Sequence, residues 1–529
     1  MAFCTRLQWR RPGLNCASLA LACAALLTAC GGGGGGGGAA PPTSPPVVPP
    51  VVVPPVAGSF ADSTVYSSAA NAALATPNEN TAVIASRIQL NGQPFNYTAT
   101  TGHLTAVDAK TGRPTVSFFY VAYTVAGAAA AKRPLTFFYN GGPGSASTYL
   151  HLGSFGPRRL VSTIPNATIP PVQLVDNQET LLPQSDLVFV DAVGTGYTQA
   201  IAPNTNADFW GVDADAAAFR DFVQRYVAVN QREASPKLLY GESYGAPRTA
   251  VLANLLETAG VQIDGLVLQS AIMDYNSNCG VLDPGAVSCE GYIPTYLLTS
   301  AYHQRAAAIS PDAARNFATG AYRSAIAAYL ASQVAPPPAV INQLSELTGM
   351  GTLAWQQHFN MQPGYYQQNA VSGQLLGRYD ARVIAAKGSA LARDGDPSLA
   401  VVNASFSSSI VSYLAGELHY TAGSAYTPFV DIINRWNFSH DGRQLPDTIP
   451  DLAAAMTLNP AMKVLAVSGY HDLATPHHQT ELDLARLDDK QAIVLKYYAS
   501  GHMTYLDDSA RRTQQTDLIN FMNSVTVSH

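Results

Sequence analysis

The chain has 529 residues, of which 47% are hydrophobic and only 12% are charged. A chain of this length and composition can bury one large hydrophobic core or two. Its formal net charge is −6, from 30 basic and 36 acidic residues. Basic clusters are absent from the sequence, and this argues against a nucleic-acid partner.

The first 29 residues have the pattern of an export signal. Three arginines give a positive start, and Leu14 to Leu27 form an apolar core that is short for a membrane span. The tetrapeptide Leu27–Cys30 resembles the lipobox of bacterial lipoproteins, in which the signal is cut before the cysteine and the cysteine carries the lipids. We therefore expect Cys30 to be the lipid attachment site of an exported protein, in the periplasm or on the outer membrane. Plain signal cleavage is the alternative.

Residues 30–57 form a segment rich in Gly and Pro. Gly31 to Gly38 are an uninterrupted glycine run, which behaves as a flexible coil. The Pro-Val tract from Pro41 to Pro55 is a stiff polyproline spacer. Together they suit a tether that holds a globular domain off a membrane surface, and we assign them no fold.

Short apolar runs alternate with helical stretches in the next part of the chain. Asp215–Val227 and Ala246–Thr258 are typical helices. Two alternating runs, Arg87–Leu90 and Thr115–Val125, predict antiparallel edge strands. The alternation predicts an α/β fold with a doubly wound, mostly parallel sheet. The predicted buried parallel strands are Pro134–Tyr139, Leu187–Asp191, Leu238–Tyr240, Gly265–Gln269, Val464–Val467 and Ile493–Lys496.

The alternation of strands stops between residues 291 and 441. Ser310 and Pro311 form a capped helix start, and Ala321–Gln333 is rich in alanine and helical. We therefore expect a core in two parts, residues 58–290 and 442–529, interrupted by a largely helical insertion. A cap over the active site is the expected role of the insertion, and a separate binding domain is the alternative.

The predicted folded domain contains two cysteines, Cys279 and Cys289. In an oxidising periplasm we expect them to form one disulfide that closes a short loop. Such a bond stabilises a protein by about 2–3 kcal/mol. Two free thiols are the alternative.

Gly241 to Gly245 contain a G-x-S-x-G motif between a short apolar run and a helical run. A strand, this motif and a helix together are typical of the nucleophile elbow of α/β-hydrolases. The two glycines allow a tight, strained turn that exposes the serine hydroxyl at the top of the sheet. Ser243 is therefore the candidate nucleophile.

Two later loops carry the residues that a serine nucleophile needs. Acyl transfer requires a base, a carboxylate that orients it, and donors for the oxyanion. In α/β-hydrolases the acid and the histidine follow the serine in that order, after later strands. Asp472 follows the predicted strand at Val464–Val467, and His502 follows the one at Ile493–Lys496. These placements predict a Ser243–His502–Asp472 triad.

Five segments of the chain carry ordered motifs: Asn140–Gly144 (N-G-G-P-G), Asp186–Tyr197, Gly241–Tyr244 (G-E-S-Y), Gly469–Asp472 with the later Pro476, and Gly501–Met503 (G-H-M). Together they resemble the serine carboxypeptidase family, and Leu376–Arg382 is also similar to its bacterial branch. The resemblance implies an α/β-hydrolase that removes C-terminal residues from peptides, and we expect no cofactor.

The resemblance also implies roles for the residues around the nucleophile. The backbone N–H groups of Gly142 and Tyr244 match the oxyanion hole. Asn140, Gly141 and Glu242 match positions that hold the terminal carboxylate of the substrate. A glutamate can hydrogen-bond a carboxylate only if one of the two keeps a proton, so such a site favours acidic pH.

Three positions depart from the family pattern. Ser154 stands where the second recognition carboxylate is expected, and a neutral side chain there weakens the carboxylate clamp. Ser145 replaces a cysteine that forms a disulfide in many members. Arg248 also departs from the usual continuation after the nucleophile. We expect a surface arginine there, with support of the acceptor side as the alternative.

Other histidines could be read as metal ligands or as further catalytic groups. His471, His477 and His478 lie near Glu481, but their spacing is not H-E-x-x-H and Asp472 already has a role in that loop. We therefore predict no metal site. His440, beside Asp441, is interpreted as structural.

Three functions are compatible with these residues. The first is a lipid-anchored serine carboxypeptidase acting on peptides. The second keeps the triad but acts on an ester, an amide or an acyl-transfer pair, for which Ser154 leaves room. The third is a tethered binding protein without activity, against which the intact triad argues.

Overall fold

A computed structural model describes residues 58–126, 132–282, 287–487 and 492–526. The predicted signal, the lipid site at Cys30 and the tether up to residue 57 lie outside the described residues. The strands are β1 (Phe60–Asp62), β2 (Thr81–Leu90), β3 (Gln93–Val107), β4 (Pro114–Thr124), β5 (Leu135–Tyr139), β6 (Arg158–Leu160), β7 (Leu174–Asp176), β8 (Asp186–Val190), β9 (Gln199–Ala200), β10 (Lys237–Glu242), β11 (Gly265–Gln269), β12 (Gln374–Leu376), β13 (Ile384–Ala386), β14 (Tyr420–Ala422), β15 (Lys463–Gly469) and β16 (Ile493–Tyr498).

The described residues also contain thirteen α-helices, and the longest lie around the sheet. The α-helices are α1 (Thr148–Gly153), α2 (Val212–Val229), α3 (Gly245–Thr258), α4 (Ile293–Tyr302), α5 (Pro311–Phe317), α6 (Arg323–Ser332), α7 (Pro338–Thr348), α8 (Thr352–Gln357), α9 (Pro363–Asn369), α10 (Pro397–Gly416), α11 (Ile449–Leu458), α12 (His477–Leu484) and α13 (Asp508–Thr526).

The central sheet has the order β16-β15-β11-β10-β5-β8-β4-β3-β2, and β9 pairs with β4. The strands from β16 to β8 are parallel, and β4, β3 and β2 are antiparallel. The six predicted parallel strands are thus confirmed. The prediction that Thr115–Val125 is an edge strand is wrong, because the long polar strand β3 pairs with its outer side. The edge is β2.

Both faces of the sheet are covered, which explains the continuous apolar runs in its central strands. Successive side chains of a strand point to opposite faces. Phe138 of β5 accordingly lies in one core with residues of α1, α10 and α13. Phe137 and Tyr139 lie in the other core, with residues of α2, α3 and α11. Parallel strands between two helical layers place the C-terminal ends of β10, β15 and β16 at one edge.

The insertion is largely helical, as predicted, and has its own core. Tyr292, Tyr296, Trp355 and Tyr366 are buried there. Cys279 and Cys289 form the predicted disulfide beside this core. The boundaries of the insertion at residues 291 and 441 stay predictions.

Helix α10 is the described helix that is long and apolar enough to cross a membrane. Many of its apolar residues are buried within the protein, however, because one side of the helix packs on the sheet. Phe406, Ile410 and Leu414 are buried in the same core as Phe138 of β5. We therefore interpret α10 as a core helix.

Candidate active site

The strand–turn–helix around Ser243 forms a tight elbow. Ser243 has a backbone φ of +60°, a conformation that costs a non-glycine residue free energy and that marks functional turns. A Cβ on Gly241 would collide with the carbonyl oxygen of Gly245. The N–H of Ser243 donates to the carbonyl of Gln269 at 2.9 Å, which ties the elbow to the end of β11. The serine therefore stands between β10 and α3, as the motif predicts.

Asp472 and His502 lie together on the loops after β15 and β16. The Nδ1 atom of His502 is 2.7 Å from Oδ2 of Asp472, and both side chains are buried. Asp472 also accepts from the N–H groups of Ala474 and Thr475, at 2.8 and 3.0 Å. These bonds fix Nδ1 of His502 as the donor, so the network assigns a free lone pair to Nε2.

Thr475 is a third member of this network that the sequence motifs did not indicate. Its hydroxyl oxygen is 2.6 Å from Oδ2 of Asp472 and 2.9 Å from Nδ1 of His502. It therefore contacts both partners of the pair. Such a neighbour fixes the plane of the imidazole ring.

Ser243 and His502 approach the same strand end without a hydrogen bond between their side chains. Nε2 of His502 is buried and has no hydrogen-bond partner among the described residues. Gln269 links the two: its carbonyl accepts from Ser243, and its side-chain amide donates to the carbonyl of His502 at 3.1 Å. Ser270 donates to the same carbonyl at 2.6 Å. Nucleophile–base bonds are often long without substrate and tighten when it binds.

The electrostatic surroundings adjust the basicity of His502. Burial lowers its pKa, but the charge and hydrogen bond of Asp472, with the charge of Glu242, outweigh burial. The pKa of His502 is therefore raised above its ordinary 6.5. A raised pKa strengthens the imidazole as a proton acceptor.

The predicted oxyanion donors lie in two glycine-rich turns in close contact. A Cβ on Gly141 would collide with the backbone nitrogen of Tyr244, so only glycine fits between the turns. Gly142 has a φ of +104°, which favours glycine. Within the described residues, the N–H groups of Gly142 and Tyr244 donate no hydrogen bond. Both donors are thus available to a ligand.

Asn140 and Glu242 form a buried polar pair next to the nucleophile. Nδ2 of Asn140 donates to Oε1 of Glu242 at 2.9 Å, and its Oδ1 accepts from the N–H of Leu150 at 3.0 Å. The second carboxyl oxygen of Glu242, Oε2, is buried without a hydrogen-bond partner in the described part of the chain. Burial raises the pKa of Glu242 to about 7, against the lowering effects of His502, Tyr505 and Asn140. This carboxyl can carry a proton near neutral pH.

The expectation that Arg248 lies at the surface is wrong. Its side chain is fully buried, and its Nε is 2.6 Å from Oδ2 of Asp215. The guanidinium also lies over the ring of Phe219, 4.5 Å from its centroid. Its Nη1 donates to the carbonyl of Asn140 at 2.8 Å. A buried cation needs a paired anion, and here the pair also holds the backbone of Asn140.

Ser154 does not contribute to this polar cluster. Its hydroxyl donates to the carbonyl of Leu150 at 2.5 Å, within the helix α1 that it ends. The side chain is buried, and its oxygen forms no bond to Glu242. The departure from the family pattern is therefore a structural difference as well as a sequence difference.

The helical insertion also reaches the active site. The carbonyl of Tyr379 accepts from the N–H of His502 at 2.6 Å, and its ring packs edge-on against the imidazole at 4.8 Å. The carbonyl of Arg378 accepts from the N–H of Leu473 at 3.0 Å. Arg382 donates to the carbonyl of Ala499. The segment Leu376–Arg382 thus braces both catalytic loops, which its sequence alone did not reveal.

A small cavity of about 10 Å³ is lined in part by Tyr379, whose ring packs against His502. Most of its walls are apolar. Its lining residues are Ile164, Tyr379, Asp380, Ser398, Leu399, Val402, Met503 and Leu506.

The other histidines have structural partners. His471 and His477 lie 3.1 and 3.4 Å from the hydroxyls of Thr299 and Thr295 on α4, and His478 lies 2.5 Å from Glu481. The described residues contain no group of three or more side chains arranged to hold a metal ion.

His440 joins two helices at the surface. Its Nδ1 is 2.6 Å from Asp213 on α2, and its Nε2 is 2.8 Å from Asp451 on α11.

Comparison with known protein families supports the resemblance seen in the motifs. Residues 90–282 match the serine carboxypeptidase family model. The matched part contains Asn140, Gly142, Glu242 and Ser243 but ends before Asp472 and His502. The placement of the acid and the base therefore rests on the fold and on the geometry above.

Solved structures are similar over most of the chain. A prohormone-processing carboxypeptidase from Saccharomyces cerevisiae has 16% identity and a TM-score of 0.51, over 81% of this chain and 91% of its own. A proline iminopeptidase from Mycobacterium smegmatis has 15% identity and a TM-score of 0.33, over 81% and 99%. The sheet order, together with the similarity to the yeast carboxypeptidase structure, establishes the fold of the chain. The chain has the α/β-hydrolase fold.

Proposed function

We propose that the protein is a serine-type carboxypeptidase that removes C-terminal residues from peptides. One observation carries the proposal: Glu242, which directly precedes Ser243, forms a buried hydrogen-bonded pair with Asn140. A polar atom buried at this depth calls for a hydrogen-bond partner. Oε2 of Glu242 is such an unsatisfied atom in the described residues. A terminal carboxylate fits it.

The triad would act by acyl transfer. The Ser243 hydroxyl attacks the last peptide carbonyl while Nε2 of His502 accepts its proton, with Asp472 and Thr475 orienting the ring. The N–H groups of Gly142 and Tyr244 stabilise the oxyanion; one such donor typically contributes about 2.7–4 kcal/mol. His502 then protonates the leaving amino group. Water, deprotonated by His502, hydrolyses the acyl-enzyme and regenerates Ser243.

The protonation of Glu242 links binding to catalysis. A protonated Glu242 can donate from Oε2 to the substrate carboxylate, whereas an ionised Glu242 repels it. The charge of Glu242 also raises the pKa of His502. When substrate keeps Glu242 neutral, that contribution is lost and the imidazole is more readily the free base. The two groups therefore titrate as a coupled pair.

The proposal extends to the substrate class and to the location of the protein. We infer that peptides with a free C-terminus are the substrates, as carboxypeptidase action requires. The lipobox-like segment ending at Cys30, followed by the Gly- and Pro-rich tether, supports an exported lipoprotein whose domain stands off a membrane.

Kinetics on matched peptides test the proposal. A peptide with a free C-terminus should be cleaved with kcat/KM at least about 100-fold above its C-terminal amide at pH 5.5, since a buried site built for a charged group loses several kcal/mol without it. The variant Ser243→Ala should lose both activities, and Ser185→Ala should keep them. Equal rates on acid and amide would contradict the carboxypeptidase and leave a hydrolase.

A second function keeps the triad and changes the substrate to an ester, an amide or an acyl-transfer pair. Ser154 favours it, because this neutral side chain is bonded within α1 and adds nothing to a carboxylate clamp. A preference for esters over every free-acid peptide would support it. A binding protein without activity would show no burst of product with an activated ester.

A further inference from the structure

The chain lacks the second carboxylate beside Glu242, and another residue occupies the neighbouring space. Tyr505 follows His502 by three residues, in the short helical turn Thr504–Leu506. Its side chain is completely buried, and its hydroxyl has no hydrogen-bond partner in the described ranges. Burying a hydroxyl without a partner is unfavourable, so such a group calls for a functional explanation.

The end of α1 is shaped to admit the ring of Tyr505. A Cβ on Gly153 would lie 2.9 Å from Cε2 of Tyr505 and 3.1 Å from Cζ of Phe406. A larger residue at position 153 would push the ring away. Gly153 immediately precedes Ser154, so the tyrosine ring abuts the helix end at which the second carboxylate would stand.

The hydroxyl of Tyr505 lies close enough to the carboxyl of Glu242 for each group to shift the pKa of the other. No hydrogen bond of good geometry joins them, yet the hydroxyl lowers the pKa of Glu242. Burial, with the charge of Glu242, raises the pKa of Tyr505 well above 10. The phenol therefore stays neutral and remains a donor throughout the pH range of the enzyme.

The remaining groups around Glu242 come from its own strand, from α1, from the insertion and from the two catalytic loops. Tyr240 lies on the same strand, Tyr149 lies on α1, and Tyr379 belongs to the insertion; the pKa of each is raised, by burial first and also by Glu242. His502 and Asp472 approach from the catalytic loops and act on Glu242 in opposite directions. The hydroxyls of Tyr240 and Tyr149 donate elsewhere, to Gln269 and Asn403. Asn140 already donates to Oε1 of Glu242, so Tyr505 is a neutral donor that remains for Oε2.

We propose that Tyr505 is a positioning residue for recognition of the substrate carboxylate, acting through Glu242 in place of the missing second carboxylate. Its hydroxyl turns toward Oε2 of Glu242 and holds the carboxyl in the orientation that receives the terminal carboxylate. The inference rests on the proposed carboxypeptidase activity and names a residue that the family pattern does not supply.

The pH dependence of KM for a free-acid peptide tests this role in Tyr505→Phe. In the wild type KM should rise through about pH 7, as Glu242 ionises. Removal of the hydroxyl withdraws a group that favours the ionised form, so the rise should move upward by about one pH unit. The profile for an activated ester without a carboxylate reports His502, which senses Glu242 only through its charge, so this profile should move less than the peptide profile. In a Glu242→Gln background, Tyr505→Phe should leave the KM profile unshifted.

The matched control is Tyr366→Phe, which removes a buried hydroxyl bonded to Ser300 inside the insertion. It should lower thermal stability without moving either profile. Coincident KM profiles for wild type and Tyr505→Phe, or equal shifts for peptide and ester, would overturn the role of Tyr505. If the wild type fails to cleave the free-acid peptide, the proposed function fails first, and the role of Tyr505 with it.

Discussion

His502 lies 2.7 Å from Asp472 through Nδ1, while Nε2 on the other side of its ring is buried without a hydrogen-bond partner among the described residues. One nitrogen is thus fixed and the other is available. This asymmetry is what a general base needs, because the bonded nitrogen sets the tautomer that leaves the second lone pair free.

Asp472→Asn should reduce kcat by about 10⁴-fold while the protein stays folded, because the amide favours the wrong tautomer of His502. The substitution also removes the largest effect that raises the pKa of His502. The acidic limb of the residual activity should therefore move to lower pH. Steady-state kinetics from pH 4 to 9 measure both effects. Asp483→Asn, on α12, is the control, and an unchanged kcat in Asp472→Asn would argue against the triad.

Glu242→Gln should flatten the dependence of KM on pH for free-acid peptides, because the amide donates a hydrogen bond at every pH.

Glu242→Gln should also change how the free energy of unfolding depends on pH. The pKa of Glu242 in the folded protein is about 7, above its ordinary 4.5. The stability that this carboxyl contributes is therefore fully present below pH 4.5 and is lost as pH rises through 7. The wild type should lose about 3 kcal/mol across that window through this carboxyl. Urea denaturation at pH 4.5 and 8 measures the loss, which Glu242→Gln should not show.

Arg248→Met should destabilise the protein by about 3–5 kcal/mol, since it leaves Asp215 buried and unpaired. The double variant Arg248→Met with Asp215→Leu should recover most of that stability. Both variants lose the donor to the carbonyl of Asn140, so KM for free-acid peptides should rise about tenfold in each. Recovery of both stability and KM in the double variant would show that the contact with Asn140 has no role.

His440 should stabilise the contact between α2 and α11 in a pH-dependent way. Its hydrogen bonds to the carboxylates of Asp451 and Asp213 raise its pKa from 6.5 to about 9. The contribution is therefore fully present below pH 6.5 and is lost as pH rises through 9. Because Asp213 is largely exposed, solvent screens part of this interaction. We therefore expect the ion pairs of His440 to contribute about 1–2 kcal/mol to the free energy of unfolding. The stability difference between wild type and His440→Gln should shrink between pH 6 and 10, and a constant difference would refute the ion pair.

Local patterns were sufficient to predict the parallel sheet, the elbow and the positions of Asp472 and His502. Buried parallel strands are apolar on both faces, and the elbow has a fixed spacing, so both leave a signal in short segments. Residues that act across the fold left no such signal. Tyr379 and Thr475 contact His502 through tertiary packing, and Arg248 is a charged side chain whose burial depends on the distant Asp215.

Strand β3, which covers β4, was not predicted because many of its residues are polar. Its omission led to the wrong prediction that Thr115–Val125 is an edge strand. The first half of β3 alternates between buried and more exposed positions, and its many polar residues resemble a loop in sequence. Ser154 illustrates the opposite case. Its sequence position predicted a weaker carboxylate clamp, and the structure adds that its hydroxyl is bonded within α1.

The site of covalent modification by an organophosphorus reagent tests the central claim most directly. Mass spectrometry of the digested protein should place one equivalent of label on Ser243, with loss of peptide hydrolysis in proportion to labelling. Asp472→Asn should slow the labelling, because the hydroxyl is activated through His502. Label on another residue, or full activity after stoichiometric labelling, would contradict the account.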